Sequence, residues 1–365
     1  MRIVFCYQNQ QPSKLIFPLN FHSQINKITP SFFHIFYPLG QFFHVSIKMN
    51  IEQILTDVKQ TIQSFKKQNP DWIVVIRWAT ATWKSKLSIM LSDFFDCEII
   101  SADSRQIFKF MDIWTDKVSQ DIRNKIPHHQ IDIVDPSQHY TAWQRKTDSE
   151  KIIEWIIQKD KLPLIVGWTW LYIDTIYKNF SMPESPPNYK LRDELFKKEE
   201  SDPWFLYREL SKIDPQESVK IHPKSTRYLI RALEIYYTTW KTKTEIMTSS
   251  AVKWPILMIW LWREKEDSNK LIDIRIEQMI KDWLIEETKK LLEMWYDSWL
   301  QSMQWIGYKQ TIEFLNWQYD NQTLIQKIQD ATHHLAKKQR TRFRRYINDQ
   351  KENPKKNVTY KVYEL

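Results

Sequence analysis

The sequence predicts an α/β protein of the P-loop type: a three-layer parallel sheet with an inserted helical domain and a helical C-terminal part. Three observations predict it. Short apolar, β-branched runs alternate with helical segments, the pattern of a parallel sheet covered by helices. The first such run, at 73–76, leads through a short loop to Lys84-Ser85, the outline of a strand, a phosphate loop and a helix start. Past about residue 178 the alternation gives way to charged helical sequence carrying Pro183, Pro186 and Pro187.

In chain order, residues 1–48 are rich in Phe, Gln, Asn and His without a clear period, and lack the apolar run and cleavage site of a signal peptide. They are expected to be upstream reading frame or a disordered extension, with Met49 the better start. A first part of the core, 49–178, opens on a helical pattern (Ile51, Leu55, Val58, Ile62) and is broken at Pro70-Asp71 before the first strand. A helix over 86–95 places Leu87, Met90, Leu91 and Phe94 on one face. A strand over 98–101 runs into Ala102-Asp103-Ser104-Arg105-Gln106, and residues 127–136 form a loop feeding a short strand. A helix over 141–158 and an apolar strand over 162–166 follow, the latter ending in Gly167-Trp168-Thr169. Residues 179–252 read as the inserted helical domain. A strand over 255–261 and further helices fill 253–350, and 351–365 is a polar tail with room for one short strand.

The 365 residues suffice for a sizeable core, as one large domain with an insertion or as two domains. The net charge of +9, from 53 Lys and Arg against 44 Asp and Glu, suits a nucleic-acid partner, although surface lysine for solubility gives the same balance. Cys6 and Cys97 are too few for a disulfide framework or a cysteine metal site and fit a reducing cytoplasm. No apolar run reaches the roughly 18–20 residues of a membrane span.

Glycine is nearly missing. Average usage of about 7% would give about 26, yet the chain has 3, together with 18 tryptophans. Adding the two gives 21, close to an ordinary glycine count. Tryptophan also stands where turns and phosphate loops need glycine: Trp78, Trp83, Trp114, Trp168, Trp170 and Trp240. We therefore expect a gene in which UGA encodes glycine, written here as tryptophan. Trp72 and Trp155 each fit an apolar face and read as genuine tryptophans.

A phosphate loop requires glycine six residues and one residue before its lysine, the positions of Trp78 and Trp83. With glycine there, the backbone N–H groups of 78–83 can wrap a phosphate, Lys84 supplies charge, and the Ser85 hydroxyl reaches Mg²⁺. The competing reading is a chance Lys-Ser after a strand. Asp103, just past a strand end, can be a Mg²⁺ ligand, a general base, or a turn residue. Thr169 can touch a phosphate or a reacting amine, or serve plain turn chemistry. His128-His129 have no third partner at ligand spacing and read as structural or RNA-contacting. The basic run Lys337, Lys338, Arg340, Arg342, Arg344 and Arg345, interleaved with Phe343 and Tyr346, is a solvated face or an RNA contact.

Taken together the motifs resemble the tRNA dimethylallyltransferase (tRNA isopentenyl transferase) family over about 70–346. They are the phosphate loop, Ile100-Ser-Ala-Asp-Ser-Arg-Gln, Met111-Asp-Ile-Trp-Thr, Pro127-His-His-Gln-Ile-Asp-Ile-Val-Asp-Pro, Val166-Gly-Trp-Thr-Trp-Leu-Tyr, Arg231-Ala-Leu-Glu-Ile, Gln304-Trp-Ile-Gly-Tyr-Lys and Ala336-Lys-Lys-Gln-Arg-Thr, in order. The resemblance implies transfer of a dimethylallyl group from its diphosphate to N6 of the adenine at tRNA position 37, with Mg²⁺ assisting. It implies that Trp78, Ala79, Thr80, Ala81, Thr82, Trp83, Lys84 and Ser85 hold the diphosphate, with Ser85 near the metal. Asp103 would accept the amine proton, while Thr169 and Arg275 steady the leaving group. Asp103, Ser104, Arg105, Gln106, Arg227, Arg231, Gln304 and Lys309 would contact the anticodon stem-loop, the enzyme acting as a cytoplasmic monomer. The chain departs from the family at the tryptophans and at Arg342, where the family often has tryptophan. The alternatives are a small-molecule P-loop kinase, a prenyl transferase acting on free adenine nucleotides, and a non-catalytic RNA-binding protein if Trp83 truly blocks the loop. The Asp-Ser-Arg-Gln and Gly-Tyr-Lys segments argue against the kinase, and the helical insertion with the basic C-terminal part favours tRNA over a free nucleotide.

Overall fold

The computed structural model describes residues 50–77, 84–248, 250–352 and 357–365. The expected extension at 1–48 and positions 78–83 of the phosphate loop lie outside them. Six strands, β1 (Ile73–Arg77), β2 (Cys97–Ser101), β3 (His128–His129), β4 (Leu162–Gly167), β5 (Ile256–Trp262) and β6 (Val358–Glu364), form one sheet in the order β3-β2-β4-β1-β5-β6. Every pairing is parallel. All residues of β1, β2 and β4 are buried, which is why these strands read as near-continuous apolar runs and do not alternate. Because the strands run one way, the segments after β1, β2 and β4 emerge at one carboxyl edge, where α/β sheets bind ligands.

Helix α1 (Ile51–Gln68) opens on a capping box between Asn50 and Gln53 and buries Ile54, Val58, Ile62 and Phe65, a single stripe at helical spacing. Helix α2 (Lys84–Ser92) packs on α1. After α3 (Gln120–Lys125), helix α4 (Ala142–Gln158) is capped by Thr141 and Gln144 and buries Arg145, Ser149, Ile153 and Ile156. Helix α5 (Trp170–Tyr177) follows β4 directly. The chain steps one way along the sheet through α2 and the other way through α4. Right-handed crossovers then put these helices on opposite faces and complete three layers.

The insertion comprises α6 (Tyr189–Ser201), α7 (Phe205–Ile213), α8 (Pro215–Ser218), α9 (Thr226–Thr239) and α10 (Lys243–Ile246). Leu195, Leu206, Leu210, Leu229 and Leu233 give it its own apolar cluster. Beyond β5 come α11 (Lys265–Lys281), α12 (Leu284–Glu293), α13 (Tyr308–Leu315) and α14 (Asn321–Glu352). Ile272, Ile276, Leu291, Ile312 and Ile328 of these helices join Ile107, Phe108 and Met111 in a cluster distinct from the sheet core. The segment after β2 is therefore held between the sheet and the C-terminal helices. No helix among the described residues is long and apolar enough to cross a membrane.

One segment falls short of the sequence expectation and another meets it. The strand expected within 127–136 is only His128–His129, at the sheet margin. The C-terminal tail contributes β6, seven residues paired along β5 from Val358 to Glu364. It reads as polar because it is an edge strand: Thr359 is exposed, whereas Tyr363 and Leu365 join the core. The Tyr363 hydroxyl donates to Asp57 Oδ2 of α1 at 2.6 Å. Tyr363→Ala should lower unfolding stability by about 3 kcal/mol and Tyr363→Phe by about 1 kcal/mol, read from urea denaturation. An unchanged midpoint for Tyr363→Ala would show that β6 is dispensable to the core.

Candidate active site

The carboxyl edge of the sheet opens into a cavity of about 320 Å³. Lys84 and Ser85, the first residues of α2, line it from the β1 side. Asp103, Arg105 and Gln106 enter from the segment after β2, Gly167 and Trp168 from the end of β4, Arg275 from α11, and Gln304 from the turn before α13. Ile272, Ile276 and Met279 of α11 supply an apolar wall.

A close backbone approach sets this arrangement. A Cβ on Gly167 would lie 2.4 Å from the carbonyl carbon and oxygen of Ala102, so only glycine lets β4 press against the end of β2. The Ala102 N–H then donates to the Val166 carbonyl at 2.6 Å, and the Thr169 N–H donates to the Ala102 carbonyl at 3.0 Å. The Thr169 hydroxyl oxygen accepts from the Ser104 N–H at 2.9 Å. Thr169 thus braces the turn that presents Asp103, and its own O–H stays available to donate. The Asp103 carboxylate accepts from the Arg105 N–H through Oδ1 at 2.9 Å and from the Trp168 indole N–H through Oδ2 at 2.7 Å. Gln106 accepts from the Ser101 hydroxyl and donates to the carbonyls of Thr115 and Asp116 at 3.1 Å, tying the 111–115 motif to the end of β2.

Positive charge dominates the buried surface. Burial pushes the Lys84 ammonium down to about 8, with nearby Asp103 opposing the shift and Arg275 adding to it. Arg105 is lowered to about 10 by burial, offset by Asp103, and its guanidinium lies 3.4 Å over the Trp305 ring. Arg275 Nη1 is 3.4 Å from Asp116 Oδ2. A buried site rich in cations is stabilised by an anion, and one exposed to Asp103 can also take up a proton.

The other residues expected at the site lie elsewhere. Ser104 contributes its backbone N–H, not its side chain, and Thr169 stands behind the cavity wall. Arg227 is exposed on α9. Arg231 is held inside the insertion, with its Nη1 2.5 Å from Glu234 and its Nη2 donating to the Ser185 carbonyl at 3.0 Å. Lys309 is 3.9 Å from Glu313 and outside the cavity. Of the histidine pair, His128 lines the cavity with Nδ1 2.7 Å from the Ile126 carbonyl, while His129 bonds buried Glu98.

Three contributors escape the sequence reading. Asp116 pairs with Arg275 across the fold. Arg145 lies buried on α4 with its guanidinium 4.7 Å from the Tyr172 ring centroid, its Nε and Nη1 without partners, and burial lowers it to about 10. Glu287 of α12 accepts the N–H groups of Asp112 and Ile113 at 2.8 and 2.9 Å and the Tyr308 hydroxyl at 2.7 Å, joining two of the motifs. Their sequence neighbourhoods look like ordinary helix or loop surface, and only a motif partner distant in the chain gives them meaning.

The family model for IPP transferase matches residues 106–346. A tRNA dimethylallyltransferase of Halothermothrix orenii is 39% identical over 277 residues, covering 75% of this chain and 84% of the relative. One from Thermotoga neapolitana is 36% identical over 276 residues, covering 76% and 90%. Among solved structures, a full-length tRNA isopentenylpyrophosphate transferase of Bacillus halodurans superposes with a TM-score of 0.56 at 32% identity, covering 80% of this chain and 90% of that one. A eukaryotic dimethylallyltransferase acting on tRNA superposes with a TM-score of 0.62 at 31% identity, covering 73% and 68%.

Gly167→Ala should force β4 away from Ala102, costing about 2 kcal/mol of stability and displacing the Asp103 turn. Urea denaturation and turnover should fall together. A variant as stable and active as the parent would show that the close approach does not set the site.

Proposed function

This chain belongs to the IPP transferase family, and on that premise we propose that it transfers the dimethylallyl group of dimethylallyl diphosphate to N6 of the adenosine at tRNA position 37, releasing diphosphate. The observation that carries this reading is the meeting of Lys84, Arg275 and Asp103 around one cavity with an apolar wall. The two cations suit a diphosphate, the carboxylate suits the proton of an attacking amine, and Ile272, Ile276 and Met279 suit a five-carbon hydrocarbon. The N6 lone pair forms a bond to the allylic carbon as that carbon's bond to the diphosphate oxygen breaks. Asp103 takes the amine proton, and the bonding pair leaves with the diphosphate, whose charge Lys84 and Arg275 neutralise.

Magnesium fits the residues present. A hard oxygen donor, the Ser85 hydroxyl, lines the cavity beside Lys84. Bound there, Mg²⁺ would supply charge neutralisation on the leaving group. Positions 78–83 belong with Lys84 and Ser85 as the diphosphate loop in this proposal.

An adenine in a stack cannot reach such a cavity, and an unpaired anticodon-loop base is cheap to flip. In this reading Arg105, Gln106 and Gln304, which line the cavity, meet the flipped base and its neighbours, and the exposed Arg227 and Lys309 meet backbone phosphates. We place the reaction in the cytoplasm, carried out by a monomer on the anticodon stem-loop.

The direct test supplies labelled dimethylallyl diphosphate with tRNA or with AMP to the protein carrying glycine at 78 and 83. Label in tRNA is expected. Label in AMP alone would move the assignment to a free-nucleotide prenyl transferase, and no transfer despite tRNA binding would make it a non-catalytic binder. Asp103→Asn should lower turnover roughly 10²–10⁴-fold with tRNA affinity little changed, and near-parental turnover would remove Asp103 as the base. Because Lys84 is held down to about 8, it loses its charge as pH rises through that value. The kcat/KM for dimethylallyl diphosphate should therefore fall between about pH 7 and 9.5 with an apparent pKa near 8. A flat profile would show that Lys84 does not supply charge to the free enzyme.

A further inference from the structure

We propose that residues 204, 240, 283, 295 and 317 are glycine in the protein as its source organism makes it, and that residues 114 and 168 at the active site are glycine too. The backbone carries the first part. Trp204, Trp240, Trp283, Trp295 and Trp317 have φ of 72°, 56°, 75°, 66° and 59°, in the left-handed region that a bulky L residue almost never enters. Among the described residues the remaining positive-φ residues other than glycine are Asp71, Asp116, Asp132, Asp160, Asn179, Asn357, Phe110 and Gln130, six of them the Asp and Asn that tolerate this region. Burial gives the five tryptophans little in return, since their exposure runs from 46% to 94%.

Hydrogen bonding identifies the slots. After α12 the Trp295 N–H donates to the Leu292 carbonyl at 3.0 Å and the Tyr296 N–H to the Leu291 carbonyl at 3.2 Å. After α13 the Trp317 N–H donates to Phe314 at 2.9 Å and the Gln318 N–H to Glu313 at 3.2 Å. Both are the paired bonds of a Schellman motif, and tryptophan occupies the one position in it that favours glycine. Trp240 closes α9 in the same left-handed conformation, its N–H donating to Tyr236 at 2.7 Å, and Trp283 follows the end of α11. Trp72 shows what a genuine tryptophan looks like in this fold: buried, and edge-on to Phe65 at 5.8 Å.

The second part rests on the proposed function. The Trp168 indole occupies Oδ2 of Asp103, the carboxylate that has to meet the amine. The Trp114 ring lines the same cavity and lies against Gly307, whose Cβ, if it had one, would be 2.3 Å from that ring. With glycine at 114 and 168 the cavity gains the volume of two indoles, and Oδ2 of Asp103 faces it without a partner from residue 168. A single cause, UGA codons that encode glycine, accounts for all seven positions and for 3 glycines beside 18 tryptophans.

Peptide mass spectrometry of the protein purified from its source organism reads the seven residues whatever the activity proves to be. Glycine at all seven is expected. Tryptophan at any of the five left-handed positions overturns the proposal, and tryptophan at 168 overturns the freed carboxylate. In recombinant protein, Trp→Gly and Trp→Ala at 240, 295 and 317 separate backbone from side chain, since both remove the indole and only glycine relieves the backbone. The glycine variants should melt about 2 °C or more above the alanine variants, and equal melting temperatures would overturn the argument from backbone conformation.

Discussion

The contact between Gly167 and Ala102 governs everything built above the sheet. A parallel sheet fixes the direction of its strands but not how closely their ends approach. Here β2 and β4 leave the sheet as neighbours, and the absence of one Cβ lets the two chain exits share hydrogen bonds through Ala102. Asp103 stands one residue from that contact and Thr169 two residues from it on the other strand. Their positions follow from backbone geometry, which packs far more rigidly than a pair of long side chains could.

Around this pivot the charges are arranged against their own preference. Lys84 and Arg105 line the cavity and are lowered by burial, so the cavity holds cations at a cost in free energy. An anion in the cavity would relieve that cost. The walls are built to tolerate the mismatch. Glu287 gathers three donors from two motifs, and Gln106 spans from Ser101 to Asp116. The second apolar cluster stiffens them from behind.

How far the sequence disclosed this depends on where each residue's partners lie. β1, β2, β4 and β5 were legible because strands buried on both faces must be apolar throughout, and α1 and α4 because one buried stripe imposes a helical period. β6 was legible only as room for one short strand in a polar tail, since an edge strand keeps polar residues on its wet side. The residue pattern pointed to Lys84 and Asp103, and the resemblance alone added Arg275. Asp116 and Glu287 stayed hidden because their significance is a contact with a residue well over a hundred positions away. Arg231 shows the converse: an arginine in a motif whose side chain is taken up by Glu234 and Ser185 within the insertion.

The place of β1 in the sheet has a consequence for how the chain is made. This strand precedes Lys84 in the chain, yet its two neighbours come much later: Val74 pairs with Leu164 on one side and with Leu257 on the other. Between the two lies the whole helical insertion. During synthesis an apolar strand with both edges open must wait for most of the polypeptide to leave the ribosome, and pairings this distant in sequence form slowly. The same topology that puts β1 between β4 and β5 makes the nascent chain vulnerable to aggregation, so yield in a cell would depend on elongation rate and on chaperones that shield this one segment.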